Sequence, residues 1–173
     1  DSFNRNDAAS LGNAETGQLW TDRRGNHGIS GSLAAPTVLV ASAIVTLPAA
    51  ANFDATVLIQ VGGADVAELC FRYSDLSNYL IAGIDNRAGQ TDFEMWKNVA
   101  GVWSNLIDYN VAPVVGQWYA VRIVANGSLL TMYLDGVQIG SVTETFNQTA
   151  TEIGLYSAEL LTGRYNDLVV RSV

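Results

Sequence analysis

In the stretch QTDFEMWKN, residues 90 to 98, Asp92, Glu94 and Trp96 stand two apart. In an extended strand, residues i and i+2 share a face about 7 Å apart at Cα. Retaining glycosidases need two carboxyl groups about 5–5.5 Å apart, so Asp92 and Glu94 pass the crude geometric test for cutting a glycosidic bond. If Phe93 and Met95 point into a core, Asp92, Glu94 and Trp96 all face away from it. The same trio could bind sugar without cutting it, the indole stacking on a pyranose ring while the carboxylates accept from its hydroxyls.

Alternation in the flanking strands decides what could join them. In ELCFRYS it sets Leu69, Phe71 and Tyr73 against Cys70 and Arg72. In NYLIAGID it sets Tyr79, Ile81 and Gly83 against Leu80, Ala82 and Ile84. If these strands are neighbours, Arg72, Glu94 and Trp96 share a surface, with Tyr79 or Asn78 at its rim. A saccharide site would then use Trp96 or Trp103 as platform and Arg72, Asp92, Glu94 or Asn98 as polar partners. The competing reading is an Arg72 to Glu94 cross-strand ion pair covered by Trp96, worth about 0.2–1 kcal/mol and needing no ligand. For most of these residues the ion-pair reading is preferred.

Long stretches with helical periodicity are nearly absent. Short strands recur instead, near 37–47, 55–61, 66–73, 78–85, 91–97, 102–109, 118–125, 129–135, 137–143, 151–157 and 164–172. Turn signals separate them, among them Gly62-Gly63, Arg87-Ala88-Gly89, Asn126-Gly127 and Asp135-Gly136. Asn-Gly and Asp-Gly supply the positive φ angles of tight hairpins, so residues 118–142 read as a three-strand meander. Such a pattern predicts an antiparallel sandwich or barrel. The first thirty or so residues have the weakest periodicity and are expected to form an extended segment wrapping one edge.

The totals exclude several classes. A chain of 173 residues fits one domain, residues 1–173. Nine basic against seventeen acidic residues give a net charge of −8, which repels phosphate backbones and anionic membranes and argues against nucleic-acid binding. The apolar share is 49% and the mean hydropathy +0.16, yet no apolar run approaches the ~20 residues that membrane insertion needs. Cys70 is the single cysteine and His27 the single histidine, which leaves no intrachain disulfide, no zinc cluster and little basis for a Ser-His-Asp relay. His27 is expected at a loop or strand edge. Gly62-Gly63 lacks the Lys and Ser/Thr of a phosphate loop and reads as a hairpin turn. The chain opens at Asp1 with neither a Met nor a signal-peptide pattern, read as a processed form or an excised piece.

The segment GQWYAVRIVANGSLLTMYLDGVQIGSV resembles the core meander of the concanavalin A-like, or laminin G-like, jelly rolls. There a Gly-x-Trp strand, an Asn-Gly or Asp-Gly hairpin and a YxDG hairpin follow one another. The opening DSFNRND, LGNAETGQLW and HGISGSL, the middle ELCFRYSDLSNYLIAGID and the closing RYNDLVVRSV extend the resemblance over essentially the whole chain, toward secreted bacterial glycan-active proteins and phage tail or surface proteins. It implies an all-β, two-sheet antiparallel jelly-roll sandwich with Trp118 and Tyr133 in its core, and Trp20 packing the N-terminal segment. The family's glucanase branch carries Glu-x-Asp-x-Glu, whereas the matching positions here read Asp92, Glu94, Trp96, so the resemblance implies no catalytic apparatus. That branch also binds a structural calcium ion beside its last strand. Carried over, this gives Asp167 as carboxylate ligand, with carbonyls near Asn4 and at Gly31; the competing and preferred reading is that Asp167 caps or hydrogen-bonds the edge where the first and last strands meet.

Together these readings give two leading functional expectations, with a degenerate or unfamiliar glycan hydrolase or lyase third behind them. The first is a non-catalytic glycan-binding or adhesion module, outside the cell or on a virion, whose concave sheet holds a saccharide or cell-surface glycan through Trp96, Trp103 and their polar neighbours. The second is a structural or assembly subunit of a filament, tail or capsid, making protein contacts with other subunits or with its own copies. High hydropathy and the nearly apolar second face of YAVRIVA favour the second. Asn126-Gly-Ser and Asn147-Gln-Thr are formal glycosylation sequons, meaningful only in a eukaryotic secretory protein.

Overall fold

The computed structural model describes residues 1–38 and 43–173, with the side chains of Ala43, Leu47 and Thr91 excepted. The short strands at its start are β1 (Thr21–Arg24), β2 (His27–Ser30), β3 (Leu33–Pro36) and β4 (Ala43–Pro48). Longer ones follow: β5 (Phe53–Gln60), β6 (Val66–Asp75), β7 (Asn78–Arg87), β8 (Gln90–Val99) and β9 (Val102–Tyr109). The chain closes with β10 (Tyr119–Asn126), β11 (Leu129–Leu134), β12 (Val137–Thr143), β13 (Glu152–Ala158) and β14 (Arg164–Ser172). No helix occurs among the described residues. Of the expected strand over 37–47, residues 39–42 lie outside the described residues.

The strands form two seven-stranded antiparallel sheets, ordered β1-β4-β13-β6-β7-β8-β9 and β12-β11-β10-β5-β14-β3-β2. Hairpin chemistry sets much of this order. Asp135 and Gly136, with φ of 49° and 83°, close the β11–β12 turn that the Asp-Gly pair predicts. Ala100 and Gly101, with φ of 50° and 84°, do the same between β8 and β9.

The sheets stack through one contiguous core. Phe53, Ala55, Val57 and Ile59 on β5 and Val121, Ile123 and Ala125 on β10 meet Leu69, Phe71, Leu80, Ala82, Phe93 and Met95 from the first sheet. Each large apolar side chain so buried stabilises the fold by about 1.5–3 kcal/mol. The same alternation corrects two expectations. Tyr119 takes the core position, so Trp118 is half-buried outside it, and Tyr133 lies half-buried on the outer side beneath the Arg122 guanidinium, 4.7 Å from its ring centre.

The N-terminal segment lies along the edges of both sheets. Trp20 packs on Phe3 at 5.9 Å between ring centres, and its indole N–H donates to Asp1 Oδ2 at 2.9 Å. The Asp1 ammonium donates to the Leu168 carbonyl on β14 at 2.6 Å, tying the first residue to the last strand. Gly28 is required here: a Cβ would sit 2.3 Å from the Ala8 carbonyl, which bridges to Ile29. His27 lies on an edge strand as expected, but its ring is fully buried, with Nε2 3.0 Å from Ser157 Oγ. Burial pushes its pKa down to about 3, so the folded chain holds it neutral.

Candidate functional site

The outer face of the first sheet is where the opening trio lies. Phe93 and Met95 enter the core, so Asp92, Glu94 and Trp96 turn away from it, as strand alternation predicts. This face is not a solvated one. Ile44, Val66, Cys70, Tyr73, Tyr79, Ile81 and Tyr156 form a second buried cluster on it, with Trp96 packed against them. Burial raises the Cys70 thiol pKa well above its ordinary value.

Strand register places the polar groups in rows. Tyr156, Glu68, Gly83, Glu94 and Asp108 stand opposite one another on β13, β6, β7, β8 and β9. Gly83 separates the two glutamates. A Cβ there would meet the Ala67 carbonyl at 2.5 Å and Glu68 Cα at 2.7 Å, so only glycine lets the strands close up at this point. In the row to one side, Val66, Asp85 and Asp92 are opposed. On the other lie Cys70, Ile81 and Trp96.

A cavity of about 240 Å³ opens on this face, walled by Glu68, Glu94, Trp96, Trp103 and Tyr156 and edged by Arg87 and Gln90 of the β7–β8 hairpin. Trp103 reaches back from the edge strand β9 and meets Tyr79 edge-on at 5.6 Å and Tyr156 at 6.4 Å between ring centres. Its own ring remains partly exposed, the residue being 38% accessible.

The electrostatics of this cavity are lopsided. Glu68 is fully buried, and neither carboxyl oxygen has a partner within the protein. Desolvation, then Glu94 and Asp85, raise its pKa well above the ordinary value. Glu94 is raised to about 7, chiefly by burial; the Trp96 indole leans toward it and favours its anion, though Nε1 reaches hydrogen-bonding geometry with no acceptor. Asp92 is raised to about 6 by burial and then by Asp108, and its Oδ1 also lacks a partner. Arg87 at the rim is committed: its Nε donates to both Asp85 oxygens at 3.0 Å, and its two terminal nitrogens reach Glu159 at 3.4 Å and Gln90 Oε1 at 3.1 Å.

Of the residues predicted to bind ligand, Trp96, Trp103 and Glu94 converge on the cavity, Asp92 lies one row beyond Glu94, and Tyr79 is buried beneath Trp103. Arg72 does not belong with them. It sits at a β-bulge with φ of 48°, where register with β7 slips, and is fully buried. Its guanidinium donates to the Glu144 carbonyl at 2.9 Å and to that of Gly127, so neither the shared surface nor the Arg72–Glu94 ion pair forms. The bulge instead delivers Tyr73 to the outer face. Glu68, Arg87, Gln90 and Tyr156 were missed from the sequence, although alternation sets Glu68 on the same face as Cys70. The available signal was Glu68 itself, the lone charge in the apolar run VAELCF.

The three residues expected to hold calcium do come together, at an open cleft on the second sheet. Asn4, Gly31 and Asp167 line it with Asn166 and Trp118. A bulge in β14 swings Asp167 to φ of 48°, and the buried Asn166 Oδ1 has no partner within the protein. One carboxylate, amide and carbonyl oxygens are hard donors that suit calcium in kind. Among the described residues no three His, Cys, Asp or Glu side chains converge on a point, so such a site would rest mainly on neutral oxygens.

No family model and no curated protein matches the sequence. Solved structures do match in shape. A carbohydrate-binding module, CBM66 from Bacillus subtilis, superposes with a TM-score of 0.76 over 88% of this chain and 95% of its own, at 19% identity. A GH43 protein from Bacillus licheniformis gives 0.71 over 100% of this chain and 39% of its own, at 13% identity. The galectin LEC-6 from Caenorhabditis elegans gives 0.52 over 78% and 93%, at 10% identity. At these identities the likeness speaks to architecture: the chain has the fold of the concanavalin A-like and galectin-like jelly-roll sandwiches.

Proposed function

We propose that this chain is a non-catalytic saccharide-binding module whose site is the cavity on the outer face of the first sheet. The observation that carries the reading is the Glu68 carboxyl, fully buried with both oxygens unpartnered, at a cavity walled by Trp96, Trp103 and Tyr156. Buried polar atoms are normally satisfied, so unpaired ones lining an aromatic cavity mark where a ligand supplies the missing partners. Indole and phenol faces suit the C–H faces of a sugar ring, and the carboxylates accept from its hydroxyls. The fold likeness to a protein titled a carbohydrate-binding module supports the same reading. Against catalysis stands the indole of Trp96 where the related glucanases carry their third acid. The proposed setting is outside the cell or on a virion, where glycans are displayed.

A glycan array probed with wild type and Trp103→Ala tests this. Trp103 is the partly exposed wall and lies outside the core between the sheets, so its loss is expected to leave that core intact. Binding to at least one saccharide, lost in the variant, is expected; silence across the whole array would sink the proposal.

The cleft of Asn4, Gly31 and Asp167 is proposed as a structural calcium site, supported by its oxygen donors and the orphaned Asn166 Oδ1. A second functional reading, assembly with other subunits or with its own copies, is favoured by the exposed Val111, Val114 and Val115 between β9 and β10. Light scattering at high concentration decides it: a particle that stays monomeric rules it out.

A further inference from the structure

The cavity is short of positive charge in a way that a neutral sugar would not remedy. Glu68, Glu94, Asp92 and Asp108 lie on or beside it, on β6, β8 and β9. Arg87, the one cation lining it among the described residues, is matched by Asp85 and Glu159. Among the other cations, Lys97 bonds Glu144 at 2.6 Å, Arg23 bonds Glu152 at 2.6 Å, and Arg72 bonds backbone carbonyls. An anion buried without a counter-charge is among the most costly arrangements a fold can hold. The hydrogen-bond inventory is equally one-sided. Glu68 and Glu94 present acceptors when ionised, and against them the cavity sets only neutral donors, among them the unpartnered Trp96 indole N–H, which bring no counter-charge.

Two kinds of partner could supply the charge, a metal ion or an organic ammonium. A metal needs several ligands at one point, and among the described residues no three acidic, His or Cys side chains converge that way. Glu68 and Glu94 are held two strands apart across Gly83, roughly 9.6 Å at Cα, too wide for one small ion. An ammonium on a rigid ring meets this geometry better. Its three N–H donors reach separate acceptors, and Trp96, Trp103 and Tyr156 offer ring faces that attract a cation.

Building on the saccharide-binding reading, we infer that the sugar residue docked in this cavity carries a protonated amine, as an unacetylated 2-amino sugar does, with Glu68 and Glu94 as its counter-ions. Neutral sugars bind more weakly, and uronic or sulfated sugars are repelled. The acids pay out protons when the amine enters. Glu94 is faced by Glu68 from β6, by Asp85 and Arg87 from β7, by Asp92 and Trp96 on its own strand, by Asp108 from β9 and by Tyr156 from β13. Of these only Arg87 favours its ionised form by charge. Amine binding therefore strengthens as pH rises toward about 7, where Glu94 ionises.

Calorimetric titration with glucosamine, N-acetylglucosamine, glucose and glucuronate, and with short chitosan and chitin oligomers, tests the inference. Glucosamine or chitosan is expected to bind about tenfold or more tighter than its neutral counterparts, the worth of one charge-assisted hydrogen bond. Glu94→Gln is expected to abolish that preference, so that glucosamine and glucose bind the variant within about twofold of each other, and Glu68→Gln provides an independent second variant. Equal or tighter binding of neutral sugars by wild type, or any binding of glucuronate at this cavity, overturns the amine inference and leaves saccharide binding standing. Failure of every sugar here and across the glycan array overturns both.

Discussion

Glu68→Gln replaces a fully buried, partnerless carboxyl with an amide of the same shape. Burial first, then Glu94 and Asp85, keep the Glu68 pKa well above its ordinary value in the folded chain. A carboxyl with a raised folded pKa holds its proton more tightly when folded. Its contribution is therefore full below the unfolded pKa and lost as pH climbs through the folded one. Glutamine has no such loss. Leaving a buried polar group unsatisfied costs about 1–3 kcal/mol, more when it is charged, and 1 kcal/mol moves the melting temperature of a domain this size by about 2–4 °C. At about pH 9 the variant is thus expected to melt roughly 2–12 °C above wild type, and at about pH 4, where both side chains are neutral, within about 1 °C of it. Scanning calorimetry across that range reads the difference directly. A gap that does not change with pH, or a wild type that gains on the variant in alkali, would show that Glu68 has a counter-charge in the free protein and refute the charge argument.

Other consequences can be checked on the same protein. Burial holds His27 neutral with a pKa of about 3, so its contribution to stability is full above about pH 6.5 and falls as pH drops toward 3. The stability of wild type relative to His27→Gln, from urea denaturation, should shrink by about 1.4 kcal/mol per pH unit below 6.5; a flat difference contradicts the assignment. Gly83→Ala drives a methyl group against the β6 backbone and should cost about 1–3 kcal/mol in urea unfolding, so a neutral effect would mean that the strands are less closely apposed than described. If the Asp167 cleft holds calcium, chelator lowers the melting temperature of wild type and not of Asp167→Ala; equal insensitivity of the two removes the site.

The fold was legible because its signals are local. Asp135-Gly136 imposes a hairpin, β5 alternates from Phe53 to Ile59, and Phe93 and Met95 fix which way Asp92, Glu94 and Trp96 point. The errors arise where alternation is interrupted or its phase is free. Arg72 falls on a bulge, which turns it off the face that parity assigns it, and nothing in FRYSD announces that bulge. Trp118 and Tyr119 are adjacent aromatics, and only the partner sheet decides which enters the core. The site was half legible. Glu94, Trp96 and Trp103 sit on neighbouring strands of one hairpin and Glu68 two strands back along the same meander, whereas Tyr156 joins them through the β13–β6 pairing between strands far apart in sequence, which no window of residues contains.

The four tryptophans provide the most direct test of saccharide binding at the outer face of the first sheet. In a heteronuclear NMR titration with an array-selected saccharide, the indole N–H signals of Trp96 and Trp103 should shift saturably, because both wall the cavity. Those of Trp20, buried in the core, and Trp118, beside the Asp167 cleft, should stay in place. Shifts confined to Trp118, or a saturating ligand that leaves Trp96 and Trp103 unmoved, would contradict the account.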